Sequence, residues 1–142
     1  MIINTSRFGD IEVEQDKIIT MIRAFPGFPD SNRFIIRPHS RESALLWLQS
    51  LDDPALAFVV IPAVALRPDY RPTIPESTLR DLELGDNAPE LLLILTIPHG
   101  EPKKMTANLL GPVVINPHKR LACQVVLDPT IYELAWPVFR PS

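Results

Sequence analysis

The chain has 142 residues, of which 46% are hydrophobic and 22% are charged, and these proportions are typical of one globular domain. The formal net charge of −3 argues against a protein that binds nucleic acid through positive charge over its whole surface. Cys123 is the single cysteine, which excludes an internal disulfide and a structural zinc site built from several cysteines.

Proline is unusually abundant, with 16 residues in the chain, roughly twice its average usage. The prolines separate short apolar runs at fairly regular intervals. Proline cannot donate a hydrogen bond to a sheet and therefore marks strand ends, edges and turns. We predict a mainly β fold, antiparallel and barrel-like, formed as a single domain over residues 1–142.

An opening hairpin is predicted from residues 2–7 and 11–14, which flank a turn at Phe8, Gly9 and Asp10. Acidic residues alternate with other types along its second strand and beyond, so a continuous strand would place four carboxylates on one face. This face is either a solvated surface that resists edge-to-edge association or a surface that meets a basic partner. The four carboxylates belong to Asp10, Glu12, Glu14 and Asp16.

Short β-prone runs fill the middle of the chain. A type II turn is predicted at Pro26 and Gly27, because proline fixes its own φ and glycine supplies a positive φ. The run at residues 56–61 is apolar at every position, which predicts a strand buried on both faces. The strands predicted here are residues 17–22, 34–36, 45–51 and 56–61.

One short helix is predicted near residues 75–84. Pro75 suits the first turn, Glu76 favours the positive N-terminal end, and Gly85 can end the helix in the left-handed conformation. Residues 133–142 are expected to form an extended C-terminal tail. Between the helix and the tail, strands are predicted at residues 91–97, 105–110, 113–115 and 121–127.

The side chains that carry chemistry show no catalytic or ligand-binding pattern. No two histidines have the spacing of a helical metal site, and the chain contains no glycine-rich phosphate loop. Cys123 lies in a predicted strand, where a buried, unreactive thiol is the favoured interpretation. We therefore expect that the protein is not an enzyme and that it binds no cofactor and no metal ion. The histidines are His39, His99 and His118.

Three polar residues stand among apolar strands. Asn116 precedes Pro117 and is interpreted as a residue that satisfies backbone groups in a turn. For Asn108 and Gln124, a structural role and a functional role both stay open.

The N-terminal residues lack the basic and apolar regions of a secretory signal. The longest apolar runs are shorter than the roughly 20 residues that span a bilayer. We therefore expect a cytoplasmic protein with no membrane partner.

Five segments, in this order and spacing, resemble the bacterial flagellar assembly factor FliW family. Each segment alone is weak evidence, but together they cover nearly the whole chain. The tail at residues 133–142 departs from the resemblance, because it follows no family pattern. The segments are residues 25–29 (FPGFP), 48–62 (LQSLDDPALAFVVIP), 68–70 (PDY), 105–116 (MTANLLGPVVIN) and 124–127 (QVVL), the last followed by Tyr132.

The resemblance implies a compact β protein that regulates by binding and makes or breaks no bond. Its implied partners are CsrA, a small dimeric RNA-binding regulator, and flagellin. The factor would prevent CsrA from repressing translation of flagellin mRNA, and accumulating flagellin would occupy the factor and release CsrA. The resemblance also implies a monomer when free, with no direct contact to nucleic acid.

Candidate partner-binding residues follow from the family segments. Asp69 and Tyr70 stand in the Pro-Asp-Tyr match, while Asn108 and Gln124 stand in two later matches. A flagellin terminal segment is an amphipathic helix when packed, so its capture would need an apolar groove. Phe28, together with Phe25 and Tyr70, either lines such a groove or plugs the ends of the barrel.

Two other functions compete with this hypothesis. A small β-barrel that binds single-stranded nucleic acid would need aromatic residues with basic neighbours, and Arg67 and Arg71 flank Tyr70 in that way. The acidic balance and the 7% aromatic content argue against it. A hydrolase using His99 or His118 has no motif in its favour.

Overall fold

A computed structural model describes residues 1–139 of the chain. Within them the chain forms short strands, two short α-helices and two single 3-10 turns. The helices are α1 (Ala63–Leu66) and α2 (Glu76–Asp81), and the 3-10 turns are Gln15–Lys17 and Pro102–Lys104. The strands are β1 (Ile2–Thr5), β2 (Gly9–Glu12), β3 (Ile19–Met21), β4 (Arg33–Pro38), β5 (Leu46–Ser50), β6 (Ala57–Pro62), β7 (Glu90–Thr96), β8 (Thr106–Ala107), β9 (Val113–Asn116), β10 (Leu121–Gln124) and β11 (Trp136–Pro137).

Seven strands close into a barrel in the order β7-β6-β5-β4-β3-β10-β9, and β9 returns to β7. The first half of β7 pairs with β9, and the end of β7 pairs with β8. Strand β11 pairs with the other edge of β8. Every pair is antiparallel except β3 with β10. The predicted mainly β, barrel-like, antiparallel fold is thus confirmed, with one parallel seam that no local pattern predicts.

The barrel interior and its outer face each hold an apolar cluster. Phe34, Leu48 and Val60 belong to the interior cluster. Ile61, the next residue of β6, belongs to a second cluster on the opposite face of the sheet, together with Leu93. Because successive strand residues point to opposite faces, β6 is covered on both sides. This arrangement confirms the prediction made from its unbroken apolar run.

The opening hairpin is confirmed, but its turn lies at residues 6–8, because Gly9 and Asp10 already belong to β2. Its acidic row also needs a correction. Strands β1 and β2 pair antiparallel, but β2 ends at Glu12. The chain then turns, with the N–H of Lys17 donating to the carbonyl of Glu14. Asp16 therefore lies in a 3-10 turn, and the four acidic side chains are all exposed without sharing one strand face.

Helix α2 confirms the predicted helix, but a different residue ends it. Glu83 adopts the left-handed conformation with φ of 57°. The N–H of Glu83 donates to the carbonyl of Arg80 at 2.9 Å, and the N–H of Leu84 donates to the carbonyl of Leu79 at 3.2 Å. This is the Schellman pattern, in which two late backbone donors satisfy free helix carbonyls. Gly85 also has positive φ, but it lies in the turn that follows.

Helix α1 and the C-terminal segment add features beyond the predicted strands. Ala63–Leu66 forms one helical turn directly after β6, where no helix was predicted. Trp136 and Pro137 pair with β8 as β11, and Val138 packs against the outer apolar cluster. The rest of the predicted tail, residues 140–142, lies outside the described residues.

Candidate functional site

An apolar groove of about 690 Å³ lies between the barrel and the connection that carries α1 and α2. We call it the groove. Its walls come from β4, β5, the end of β6, the start of β7 and residues 63–79. One cation and one anion, Arg71 and Glu90, also line it. Its apolar walls include Ile36, Leu46, Pro62, Val64, Leu79 and Leu91.

The chain turns sharply to form one wall of the groove. The N–H of Arg67 donates to the carbonyl of Ala63, and the N–H of Tyr70 donates to that of Arg67. These bonds fold residues 63–70 into two successive turns, which send Tyr70 back toward the barrel. Val64 stays outside with 73% of its surface exposed. Within this short connection, the buried Tyr70 forms part of the groove wall and the exposed Val64 forms part of its rim.

Tyr70 anchors the connection to the barrel. Its side chain is buried, and its hydroxyl donates to the carbonyl of Leu109 at 2.6 Å. Its ring meets that of Tyr132 edge to face, with centroids 5.5 Å apart. Burial raises the pKa of the Tyr70 phenol well above its ordinary value of about 10. Tyr70 is thus a core residue whose accessible part lines the groove.

Replacing Tyr70 with phenylalanine should destabilise the fold by about 1–2 kcal/mol at pH 8, because the Leu109 carbonyl loses its buried donor. Folding raises the pKa of this phenol, so its contribution is fully present below about pH 10 and is lost as the pH rises beyond it. Urea unfolding of both proteins at pH 8 and pH 11 tests this. A stability difference that stays constant between the two pH values would contradict it.

Asp69 lies at the surface beside this anchor. The guanidinium of Arg67 approaches its two carboxylate oxygens at 3.1 and 3.4 Å. The hydrogen bond from Arg67 holds the pKa of Asp69 below its usual range, so the group is ionised at neutral pH. Arg67 also lies over the ring of Trp136, 5.4 Å from its centroid. Asp69 is therefore a fixed, solvent-accessible negative charge.

Asn108 and Gln124 meet at Gly111. The side-chain oxygen of Asn108 accepts from the N–H of Gly111 at 2.8 Å, and Gln124 donates to the Gly111 carbonyl at 2.9 Å. A Cβ on Gly111 would lie 2.8 Å from the Gln124 amide nitrogen, so a side chain at this position would displace the Gln124 amide from its present position. Both side chains therefore satisfy backbone groups of one turn, which is the structural role left open above. The predicted strand over residues 105–110 is shorter in the structure and is limited to β8.

The five predicted residues do not form one site. Tyr70 reaches Leu109, next to Asn108, so Tyr70, Asn108 and Gln124 all hold residues 108–111. Asp69 is next to Tyr70 in the chain and pairs with Arg67, not with Asn108 or Gln124. Phe28 lies elsewhere, beside the interior cluster of the barrel.

Phe25 and Phe28 flank the predicted type II turn and do not line the groove. The N–H of Phe28 donates to the Phe25 carbonyl at 3.0 Å, and Gly27 has φ of 87°, which confirms the turn. Phe25 is buried in the interior cluster and therefore plugs the barrel. Phe28 is 36% exposed and meets the ring of Phe58 edge to face.

Sequence reasoning missed the residues that shape the groove, above all Val64 in α1 and Leu91 in β7. A signal for α1 was present, because Pro62 ends the apolar run of β6 and two alanines, strong helix formers, follow within four residues. Leu91 carried no such signal, since its position in β7 looks like that of any other buried strand residue.

The pattern that suggested a nucleic-acid site does not provide an open aromatic face. Tyr70 is buried against Tyr132 and Leu109, and Arg67 is engaged by Asp69. Stacking of a base requires an accessible ring. The arginines that flank Tyr70 in sequence therefore do not frame a stacking platform in the fold.

The single cysteine, Cys123, belongs to a buried apolar cluster. Cys123 is fully buried, and burial raises the pKa of its thiol, while Arg23 contacts its sulfur at 3.4 Å. No group of three or more His, Cys, Asp or Glu side chains within residues 1–139 is arranged to hold a metal ion. No helix in this part of the chain has the length and apolar character needed to cross a bilayer.

Comparison with known proteins places this fold in one family. The family model described as FliW protein matches residues 2–138. The flagellar assembly factor FliW of Syntrophus aciditrophicus (strain SB) is 38% identical over 140 residues, covering 99% of this chain and 89% of that protein. The factor of the same name from Natranaerobius thermophilus is 37% identical over 142 residues, covering 99% of this chain and 93% of that protein.

A solved structure agrees with these sequence relatives. The crystal structure of the flagellar assembly factor FliW superposes with a TM-score of 0.89 at 34% identity. The match covers 100% of this chain and 99% of that chain. Sequence similarity and three-dimensional similarity thus indicate the same family. The chain therefore belongs to the FliW family of flagellar assembly factors.

Proposed function

We propose that this protein serves flagellar assembly by binding two cytoplasmic proteins in exchange, flagellin and a CsrA-type RNA-binding repressor of flagellin mRNA. Binding of the repressor relieves repression, and flagellin returns the repressor to its mRNA by occupying the factor. No bond is made or broken in this cycle. The observation that carries the proposal is the apolar groove beside Tyr70.

The groove has the chemistry that an amphipathic helix requires. Aliphatic and proline side chains form most of its walls, so the apolar face of a helix can be buried there. Arg71 and Glu90 give the same lining one charge of each sign, which can fix the direction of a bound segment. Val64 exposes most of its surface at the rim, where it extends the apolar lining of the groove toward solvent. We assign this groove to a terminal segment of flagellin.

The acidic surface suits an RNA-binding repressor. A protein that binds phosphates must carry basic residues, and this chain has a net charge of −3. The side chains of Asp10, Glu12 and Asp69 are exposed, although each has one internal partner. Opposite charge raises the association rate and orients the partners more than it raises affinity.

The remaining candidate residues divide into direct contacts and supports. Asp69 and Phe28 are exposed and are proposed as direct contacts to a partner. Tyr70, Asn108 and Gln124 are proposed to act by fixing residues 108–111 and the groove wall.

Replacing Val64 with aspartate should weaken flagellin binding at least about tenfold, because a charge would be buried against an apolar surface. Val126 is the matched control, since it is 75% exposed, against 73% for Val64, and lies outside the groove. Isothermal titration with flagellin measures both variants. Equal affinity of V64D and V126D would refute the assignment of the groove.

The exchange itself needs a second titration. Titration of this protein into the organism's CsrA-type regulator should give saturable binding, and prior addition of flagellin should abolish it. Simultaneous binding of both proteins would refute exchange while leaving each interaction intact. Absence of binding to either protein would refute the proposed function as a whole.

A further inference from the structure

A group of cationic and aromatic side chains lies where the opening hairpin packs on β4 and β5. We call it the arginine–aromatic cluster, and it lies outside the groove. Arg7 lies 4.1 Å from the ring centroid of Trp47, and Arg37 lies 4.7 Å from that of Phe8. Phe8 meets Trp47 edge to face at 6.0 Å. The cluster consists of Arg7, Phe8, Arg37, His39 and Trp47.

The backbone fixes this arrangement. Arg37 and Trp47 are direct partners in the antiparallel pairing of β4 with β5, so their side chains lie on the same face of the sheet. Phe8 packs onto an apolar cluster of Ile11, Ile35 and their neighbours, which holds the hairpin turn against that face. The cations are therefore held by regular structure on both sides rather than by a free loop.

In the part of the chain that the structure describes, the two guanidinium groups of the cluster form no ion pair with a carboxylate. Arg23, Arg33 and Arg67 each form an ion pair with an aspartate, at 2.9 to 3.1 Å. Arg7 and Arg37 differ from the other unpaired arginines in that each lies over an aromatic ring. Within residues 1–139, neither Arg7 nor Arg37 has such a pair. Stacking on a ring uses the flat face of a guanidinium and leaves the N–H donors at its edge free. Among the described residues, the cluster thus presents ring-held donors that form no ion pair with a carboxylate.

The N–H donors of an oriented guanidinium can form two parallel hydrogen bonds with a planar acceptor. Among protein side chains, this acceptor is a carboxylate. Because the rings already hold both arginines in place, little side-chain entropy is lost when an acceptor binds. We propose that the arginine–aromatic cluster is a docking surface for an acidic segment of a partner protein, with carboxylates that pair with Arg7 and Arg37.

The observations favour protein carboxylates over the phosphates of single-stranded RNA. A base needs an open ring face, but His39 stacks on Trp47, the Arg7 guanidinium lies over the same ring, and that of Arg37 lies over Phe8. Asp10 lies three residues after Arg7, and Glu12 follows on the same strand, so a long polyanion would meet repulsion beside the cluster. A short acidic segment fits within the basic area and avoids that repulsion.

Fluorescence anisotropy with a labelled tetraglutamate peptide tests this surface at low ionic strength, where exposed charge pairs are least screened. The wild-type protein should bind the peptide saturably. The double variant R7Q/R37Q should lose roughly fivefold to thirtyfold in affinity, as expected for two exposed charge pairs. The variant R7K/R37K, which keeps the charges without the planar fork, should fall between the two.

The matched control is R80Q/K103Q, which removes the same amount of charge at two exposed residues far from the cluster in sequence. Its affinity for the peptide should stay within about twofold of the wild type. Equal losses in the two double variants would overturn the proposal, since long-range charge alone would explain them. Absence of wild-type binding, or tighter binding of labelled octauridylate RNA than of the peptide, would overturn it as well.

Discussion

Replacing Phe34 with alanine is expected to lower the free energy of unfolding by about 3–5 kcal/mol, the largest effect we expect from one side chain. Phe34 is fully buried inside the barrel. Its ring meets Phe25 edge to face at 5.5 Å and lies 6.3 Å from the ring of Phe58. Removal would leave a cavity at the point where these rings converge, and a closed barrel has little freedom to collapse around it.

The control for this prediction is Phe28→Ala. Phe28 contacts the same Phe58 ring, with centroids 5.8 Å apart, but 36% of its surface is exposed. Its removal leaves no enclosed cavity, so we expect a loss of about 1 kcal/mol. Urea unfolding followed by far-ultraviolet circular dichroism measures both. Similar losses for the two variants would mean that the barrel interior relaxes more freely than its packing indicates.

Replacing Asn116 with alanine is expected to cost about 2–4 kcal/mol, because one buried side chain makes four hydrogen bonds. Its amide nitrogen donates to the carbonyls of Leu82 and Glu83, at 2.8 and 3.2 Å. Its oxygen accepts from the N–H groups of His118 and Lys119. The residue therefore joins the end of α2 to the turn between β9 and β10, and its loss leaves buried backbone groups without partners.

Asn116→Asp separates the two halves of this effect. Aspartate keeps the acceptor for the turn but places oxygen against the carbonyls of Leu82 and Glu83, where asparagine donates. We expect aspartate to destabilise the fold at least as much as alanine at pH 7. A stability close to that of the wild type would show that the bonds to α2 contribute little. Thermal unfolding at matched ionic strength gives the comparison.

Local patterns predicted the elements whose causes are local. The positive φ of Gly27, the double burial of β6 and the backbone role of Asn116 each follow from neighbouring residues, and all three are confirmed. The left-handed end of α2 was assigned to Gly85, but it falls on Glu83 because the helix stops at Asp81. A glycine preference is a weak guide to the register of a helix end.

Of the three aromatic residues considered as groove linings, Tyr70 lines the groove, and Phe25 and Phe28 do not. Most of its walls could not be predicted, because they come from segments that are distant in the chain. Val64 and Leu91 reach the same cavity from α1 and β7. Tyr70 is a candidate because of a family segment, but its burial comes from packing in the outer cluster, where its hydroxyl donates to Leu109, 39 residues later. Hydrophobic periodicity reports which face of an element is covered, not which other element covers it.

The parallel seam of the barrel has a consequence for how the protein folds. Leu121 and Ala122 of β10 pair with Thr20 and Met21 of β3, so the contacts that close the barrel join positions about a hundred residues apart. During synthesis, β3 leaves the ribosome early, but it cannot pair with β10 until most of the chain has been made. The hairpins β1–β2, β4–β5 and β5–β6 can form from nearby residues, but the closed barrel belongs only to the nearly finished chain.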